Sequence, residues 1–256
     1  MSMAAQIDQP GFISAPQLQP LRALKAYGRL VQDKEDTKQV FEIIKALTGR
    51  SLQRAYQRML TNEQGGREAY KGLELQPYLD DPAWIGQFPE GTVGAAFRKF
   101  IAVRGLTVHG LAMDAQSVDD RIDAEHPVAW YARRVRDTHD IWHVLTGYGT
   151  DVVGEACVLA FTYAQTPNPG VAFIVLGASR EFSRRHKGPP YGRAILEGYR
   201  RGKKAKSLVC QDYFALMAEP LEGARARLGI GPAPVYESIP YEARETLLAS
   251  PLKQAA

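Results

Sequence analysis

The chain is expected to fold as an all-α, multi-helix single-domain bundle, and three observations lead there. Apolar residues recur at helical spacing, as in Val40, Ile43, Ile44 and Leu47. Alternating apolar and polar runs of the strand type are scarce, and no internal repeat stands out. Glycines and prolines fall between the periodic segments, where helices stop and start. With 256 residues, 45% of them hydrophobic and 23% charged, there is enough apolar material for one large core.

Residues 1–20 carry Pro10, Pro16 and Pro20 among Gln and Ser, and are set apart as a flexible arm. Residues 21–235 are assigned to the domain, and 236–256 to a Pro-containing tail. Leu21 to about Leu60 is helix-rich; Gly49 ends one helix, and Ser51 caps another with Leu52, Tyr56 and Leu60 on one face. Residues 61–92 hold Gly65, Gly66, Pro77, Pro82 and Pro89 and are expected as loop with short turns. Thr92 to about Arg104 reads as a helix with Val93, Ala96, Phe97, Phe100 and Ile101 inward. A loop runs to Asp123, and Pro127 then opens the next helix. Further helices are expected over 152–165, 171–185, 192–202, 207–218 and 220–228, with a last turn over 243–248.

The helix from Pro127 carries His139-Asp140-Ile141-Trp142-His143, and Glu155 follows twelve residues later. Only five histidines exist, and His109, His126 and His186 lie outside this cluster. Residues four apart share a helix face, so both rings can aim at one point. Gly147 and Gly149 end the helix, and Thr150 or Asp151 caps the next, which returns Glu155 toward the histidines. The result is a metal site on a helix–turn–helix, with two His and one or two carboxylates, suited to Zn²⁺ or Fe²⁺ rather than Ca²⁺. Asp140 is rotated about 100° from His139. Its place is open at this point, either a ligand from the edge of the face or a residue that orients a ligand.

Net charge is +4, unevenly placed, with ten Lys or Arg and two acids between Arg180 and Lys206. A solvated face, anionic lipid headgroups and a phosphorylated ligand all fit; nucleic acid ranks last because no recognition motif accompanies the charge. The longest apolar run, Gly170–Gly177, is too short to span a bilayer. Neither a secretory nor a transit signal is read at the N-terminus, so a cytoplasmic, peripherally membrane-associated protein is expected. Cys157 and Cys210 sit in apolar helical surroundings and are expected as buried free thiols.

His139-Asp140-x-x-His143, eleven residues and Glu155 resemble the signature of the coenzyme Q biosynthesis protein four family. Pro89-Glu90-Gly91-Thr92-Val93-Gly94, Gly105-Leu106-Thr107, Tyr131-x-x-Arg134-x-Arg136-Asp137-Thr138 and Gly147-x-Gly149 also fit, as does Pro220-Leu221-x-x-x-Arg225-x-x-Leu228-Gly229-Ile230. The resemblance covers roughly residues 35–235. It implies an all-α fold and one divalent metal held by His139, Asp140, His143 and Glu155, usually assigned as Zn²⁺, with Fe²⁺ or Mg²⁺ as alternatives. It implies ubiquinone biosynthesis on a polyprenylated benzoquinone precursor, with oxidative decarboxylation in which hydroxyl replaces the C1 carboxylate. It equally implies a non-catalytic lipid-binding scaffold that organises the biosynthetic complex.

The partners implied are the prenylated precursor, other ubiquinone biosynthesis proteins and a membrane surface; a homodimer is left open. Val158, Phe161 and Thr162 on the helix of Glu155 are expected to line a groove for the tail. Arg134 or His109 is expected to pair the ring carboxylate, although Arg134 lies about 140° from His139. Zinc is redox-silent, whereas Fe²⁺ with two His and a carboxylate activates oxygen. No dinucleotide fingerprint is present, so a flavin would come from another protein. A metal-dependent hydrolase is the third reading.

Overall fold

Proline placement starts helices throughout this chain, because the ring fixes φ and its missing N–H is not needed in a first turn. In a computed structural model, residues 16–33, 36–104, 116–117, 125–185 and 188–245 are described. Among them are sixteen helices and, apart from one isolated bridge between Thr92 and Pro220, no strand. The helices are α1 (Pro20–Gln32), α2 (Thr37–Leu47), α3 (Ser51–Leu60), α4 (Glu63–Lys71), α5 (Gln76–Leu79), α6 (Pro82–Gly86), α7 (Val93–Arg104) and α8 (Pro127–Asp137). They continue as α9 (His139–Thr146), α10 (Val152–Gln165), α11 (Pro169–Arg185), α12 (Tyr191–Lys204), α13 (Tyr213–Ala218), α14 (Leu221–Leu228), α15 (Pro234–Glu237) and α16 (Tyr241–Glu245). None of the described helices is long and apolar enough to cross a membrane.

Three apolar clusters fill the interior. The largest joins α3, α7, α8, α9 and α13 through Met59, Phe97, Trp130, Trp142 and Leu216. A second joins α10, α11 and α12 through Val153, Cys157, Phe182 and Ile195. A third packs Ala23 and Ala26 of α1 on Ile43, Ala46 and Ile174. Helix α10 packs extensively on α12, and glycine lets their backbones approach. A Cβ at 198 would sit 2.5 Å from the Cys157 carbonyl oxygen, and one at 202 would sit 2.7 Å from that of Phe161. Cys157 and Cys210 are free and buried, as read from the sequence.

The differences from the sequence reading have local causes. Residues 61–92 contain a full nine-residue helix, α4, despite Gly65 and Gly66. Asn62 nucleates it by accepting the Gly65 N–H at 2.9 Å. The segment 207–218 is helical only over α13, because Asp212 caps there and accepts the N–H groups of Phe214 and Ala215. The helix expected to run from Pro127 through the histidine motif bends at Thr138 into α8 and α9; the Thr138 hydroxyl donates to the Arg134 carbonyl at 2.8 Å. Ser51 is the first residue of α3 rather than its cap.

The domain boundaries shift too. The Gln19 N–H donates to the Ala46 carbonyl and Pro20 opens α1, so the packed chain begins before 21. Tyr236 and Ile239 are buried, so the core runs past 235. Residues 1–15 of the arm and 246–256 of the tail lie outside the described residues, as does His109.

Candidate metal centre

Helix α9 ends at Gly147, whose φ of 77° is the left-handed conformation that glycine adopts without strain. Its last carbonyls are taken by two arginines. Arg225 donates to Val144 and Leu145, and Arg201 donates to Thr146 at 2.8 Å. Asp151 caps α10, its Oδ1 accepting the N–H of Gly154 at 2.9 Å and of Val153 at 3.2 Å. That places Glu155 in the first turn of α10, facing the histidines.

The three polar atoms form a nearly regular triangle. His139 Nε2 lies 3.2 Å from His143 Nε2, and Glu155 Oε2 lies 3.4 Å from the first and 3.2 Å from the second. Ligands at about 2.0–2.1 Å from a tetrahedral ion are separated by roughly 3.3 Å. The His143 ring is fully buried, stacks on Phe100 at 5.4 Å, and its Nδ1 donates to the Tyr148 carbonyl at 3.0 Å. That bond fixes the tautomer and leaves Nε2 with a lone pair directed at the triangle. Asp140 is buried, and its carboxylate oxygen and the ring nitrogens of His139 and His143 all lie within 4.8 Å of one another. This donor set fits a divalent cation of the Zn²⁺ or Fe²⁺ type.

Without a metal, the histidines and the carboxylate pair with one another. Burial disfavours the charged form of His143, but the Glu155 carboxylate against it raises its pKa above the usual value. Burial likewise pushes Glu155 up, yet His143 and His139 beside it hold its carboxyl well below the usual range. Glu155 and His139 keep 31% and 23% of their side-chain surface exposed while His143 keeps none, so the triangle is open on one side.

That side is a cavity of about 480 Å³ whose walls include His139, Asp140 and Glu155. The rest of its lining is mostly apolar, with Leu30, Ile44, Leu52, Val135, Leu159 and Ile174 drawn from α1, α2, α3, α8, α10 and α11. Thr162 lines it as expected, and its buried Oγ1 has no hydrogen-bond partner among the described residues. Val158 and Phe161 do not; they are fully buried in the second and first clusters. Leu159, four residues after Glu155, stands in their place on the cavity face.

Arg134 is also turned away. It is buried between the rings of Trp130 and Tyr213, its Nε donating to the Val209 carbonyl at 2.8 Å. The cavity arginine is Arg136, whose side chain is 5% exposed and whose Nε donates to Asp137 Oδ1 at 2.7 Å. The sequence reading missed it, although the spacing was present. On the continuous helix that the sequence predicts, Arg136, His139, Asp140 and His143 fall at i, i+3, i+4 and i+7, which is one stripe.

Comparison with known proteins gives consistent matches. A family model described as Coenzyme Q (ubiquinone) biosynthesis protein Coq4 matches residues 17–234. The ubiquinone biosynthesis protein COQ4 homolog, mitochondrial, of Nematostella vectensis is 30% identical over 179 residues, 66% of this chain and 80% of that protein. Its namesake in Xenopus tropicalis is 28% identical over 59% of this chain and 51% of its own length, and that in Mus musculus 27% over 61% and 56%. The chain therefore spans about half the length of the frog and mouse relatives. A crystal structure from Nostoc punctiforme, provisionally described as a ubiquinone biosynthesis protein, superposes with a TM-score of 0.60. It is 23% identical and covers 84% of this chain and 100% of its own, a likeness of fold.

Proposed function

The chain belongs to the coenzyme Q (ubiquinone) biosynthesis protein Coq4 family, and from that premise we propose that it acts in ubiquinone biosynthesis by replacing the ring C1 carboxylate of a polyprenylated precursor with hydroxyl. The observation that carries the reading is the juxtaposition of the His139–His143–Glu155 triangle with an apolar cavity that also contains a buried arginine. His139, Asp140, His143 and Glu155 would hold one divalent metal. When bound, that ion would supply Lewis-acid stabilisation of negative charge on the head group as the carboxylate departs.

The chain's own residues do the rest. Leu30, Ile44, Leu159 and Ile174 hold the isoprenoid tail and keep water away. Arg136 pairs with the ring carboxylate before it leaves as CO₂, and Asp137 behind it keeps the guanidinium oriented. The Thr162 hydroxyl offers a hydrogen bond to a ring oxygen. The new ring oxygen comes from O₂; the second oxygen atom leaves as water with two electrons from a reductant supplied by a partner protein.

The test is complementation of a host that lacks its own homologue. Wild type should restore quinone synthesis and Glu155→Ala should not, with the C1-carboxylated precursor accumulating. Full restoration by Glu155→Ala would overturn the catalytic reading. The alternative, a scaffold that binds polyprenyl lipid and organises the other biosynthetic proteins, draws its support from the apolar cavity alone and would then stand.

A further inference from the structure

The turn between the two halves of the metal centre is held by a side chain from the far C-terminal end of the chain. Gly149 and Asp151 lie in that turn, between α9 with its two histidines and α10 with Glu155. Tyr236 reaches into it from α15. Its Oη accepts the Gly149 N–H at 2.9 Å and donates to Asp151 Oδ2 at 2.5 Å. The other oxygen of the same carboxylate caps α10 one turn below Glu155.

The Tyr236 ring also packs edge-on against Tyr148 at 5.1 Å, and the Tyr148 carbonyl accepts the Nδ1 hydrogen of His143. One phenol thus touches the support of a histidine ligand and the support of the carboxylate ligand. Its own position is fixed from two sides. Glu197 of α12 accepts the backbone N–H groups of Val235 and Tyr236 at 3.1 Å each. The Arg244 guanidinium covers the ring at 4.3 Å and lies 3.6 Å from Asp151.

The geometry points to Tyr236 as the positioning residue of the metal centre. Its hydroxyl sets the angle between α9 and α10, so that His143 Nε2 and Glu155 Oε2 meet at 3.2 Å. It touches neither ligand; it acts through Gly149, Asp151 and the residue beside them. Groups that orient ligands in this indirect way typically change metal affinity by about 10–100-fold when removed. The inference rests on the metal reading for its first readout only.

The experiment compares wild type, Tyr236→Phe and Tyr191→Phe in the full chain. Tyr236→Phe keeps the ring packing and removes only the hydroxyl. Tyr191 is a buried phenol of the same apolar cluster whose hydroxyl donates to the Ala243 carbonyl and not to Gly149 or Asp151. Zinc affinity is measured by chelator competition, and the His143 ring is followed by ¹⁵N NMR of the zinc-free protein. Tyr236→Phe should bind zinc about 10–100-fold more weakly and lose the protected Nδ1–H signal, whereas Tyr191→Phe should match wild type in both. Wild-type affinity and an unchanged His143 signal in Tyr236→Phe would overturn the proposal, as would an equal loss in Tyr191→Phe. Should wild type itself take up no zinc, the metal reading fails, and the His143 signal alone decides whether Tyr236 positions the ring.

Discussion

Replacing His143 by Ala tests the metal centre at its most buried member. His143 Nε2 stands 3.2 Å from both His139 Nε2 and Glu155 Oε2, so its loss removes one corner of the triangle and leaves three of the four donors. Four-ligand zinc sites in small peptides contribute about 10–16 kcal/mol, or roughly 2.5–4 kcal/mol per donor. The variant should therefore bind zinc about 100- to 1000-fold more weakly. The assay is metal analysis after gel filtration, together with chelator competition. Because the Tyr148 carbonyl also loses its donor, circular dichroism must show that the variant is folded. His126→Ala serves as a control; His126 caps α8 and accepts the Val128 N–H away from the centre. One zinc per chain at wild-type affinity in His143→Ala would refute the reasoning, as would equal loss in His126→Ala.

Two further outcomes concern stability and surface. Burial pushes the Asp212 carboxyl up, but Lys71 and the N–H groups of Ala215 and Phe214 outweigh it and hold its pKa below the usual value. A depressed folded pKa gives stability that is present above the unfolded value near 4 and is lost as pH falls below it. Asp212→Ala should thus lower Tm by roughly 2–4 °C at pH 7, as expected for a lost cap of about 1 kcal/mol, and by less as the pH falls below about 4; a deficit independent of pH would contradict it. Arg193, Arg200, Lys203 and Lys204 are exposed on the outer side of α12. Binding to vesicles of anionic lipid should weaken as salt rises and fall roughly a hundredfold in a variant with Arg200, Lys203 and Lys204 all changed to Gln; equal binding to neutral and anionic vesicles would count against a membrane role.

What the sequence revealed, and what it withheld, divides along a physical line. His139, His143 and Glu155 were legible because an i,i+4 pair and a glycine-ended turn constrain geometry locally. α4 and the short α13 were misread because single side chains, Asn62 and Asp212, decide where those helices start. The cavity wall was half legible. Thr162 sits seven residues from Glu155 and shares its face, whereas Val158 and Phe161, at three and six, turn into the two cores. Arg134 stands outside the cavity, and spacing around one helix does not reveal that Trp130 and Tyr213 enclose it on the far side. Tyr236 left no sequence signal, since 81 residues separate it from Glu155.

The origin of the cavity walls sets an order of events during synthesis. Ile174 of α11, which packs on α1 and α2, follows roughly 130 residues after the end of α2; at 5–20 residues per second that is about 6–26 s. Through that interval the apolar faces around Ala23, Ala26, Ile43 and Ala46 lack their lid. Until α11 arrives, those faces have only each other to pack against, so this part of the core closes late.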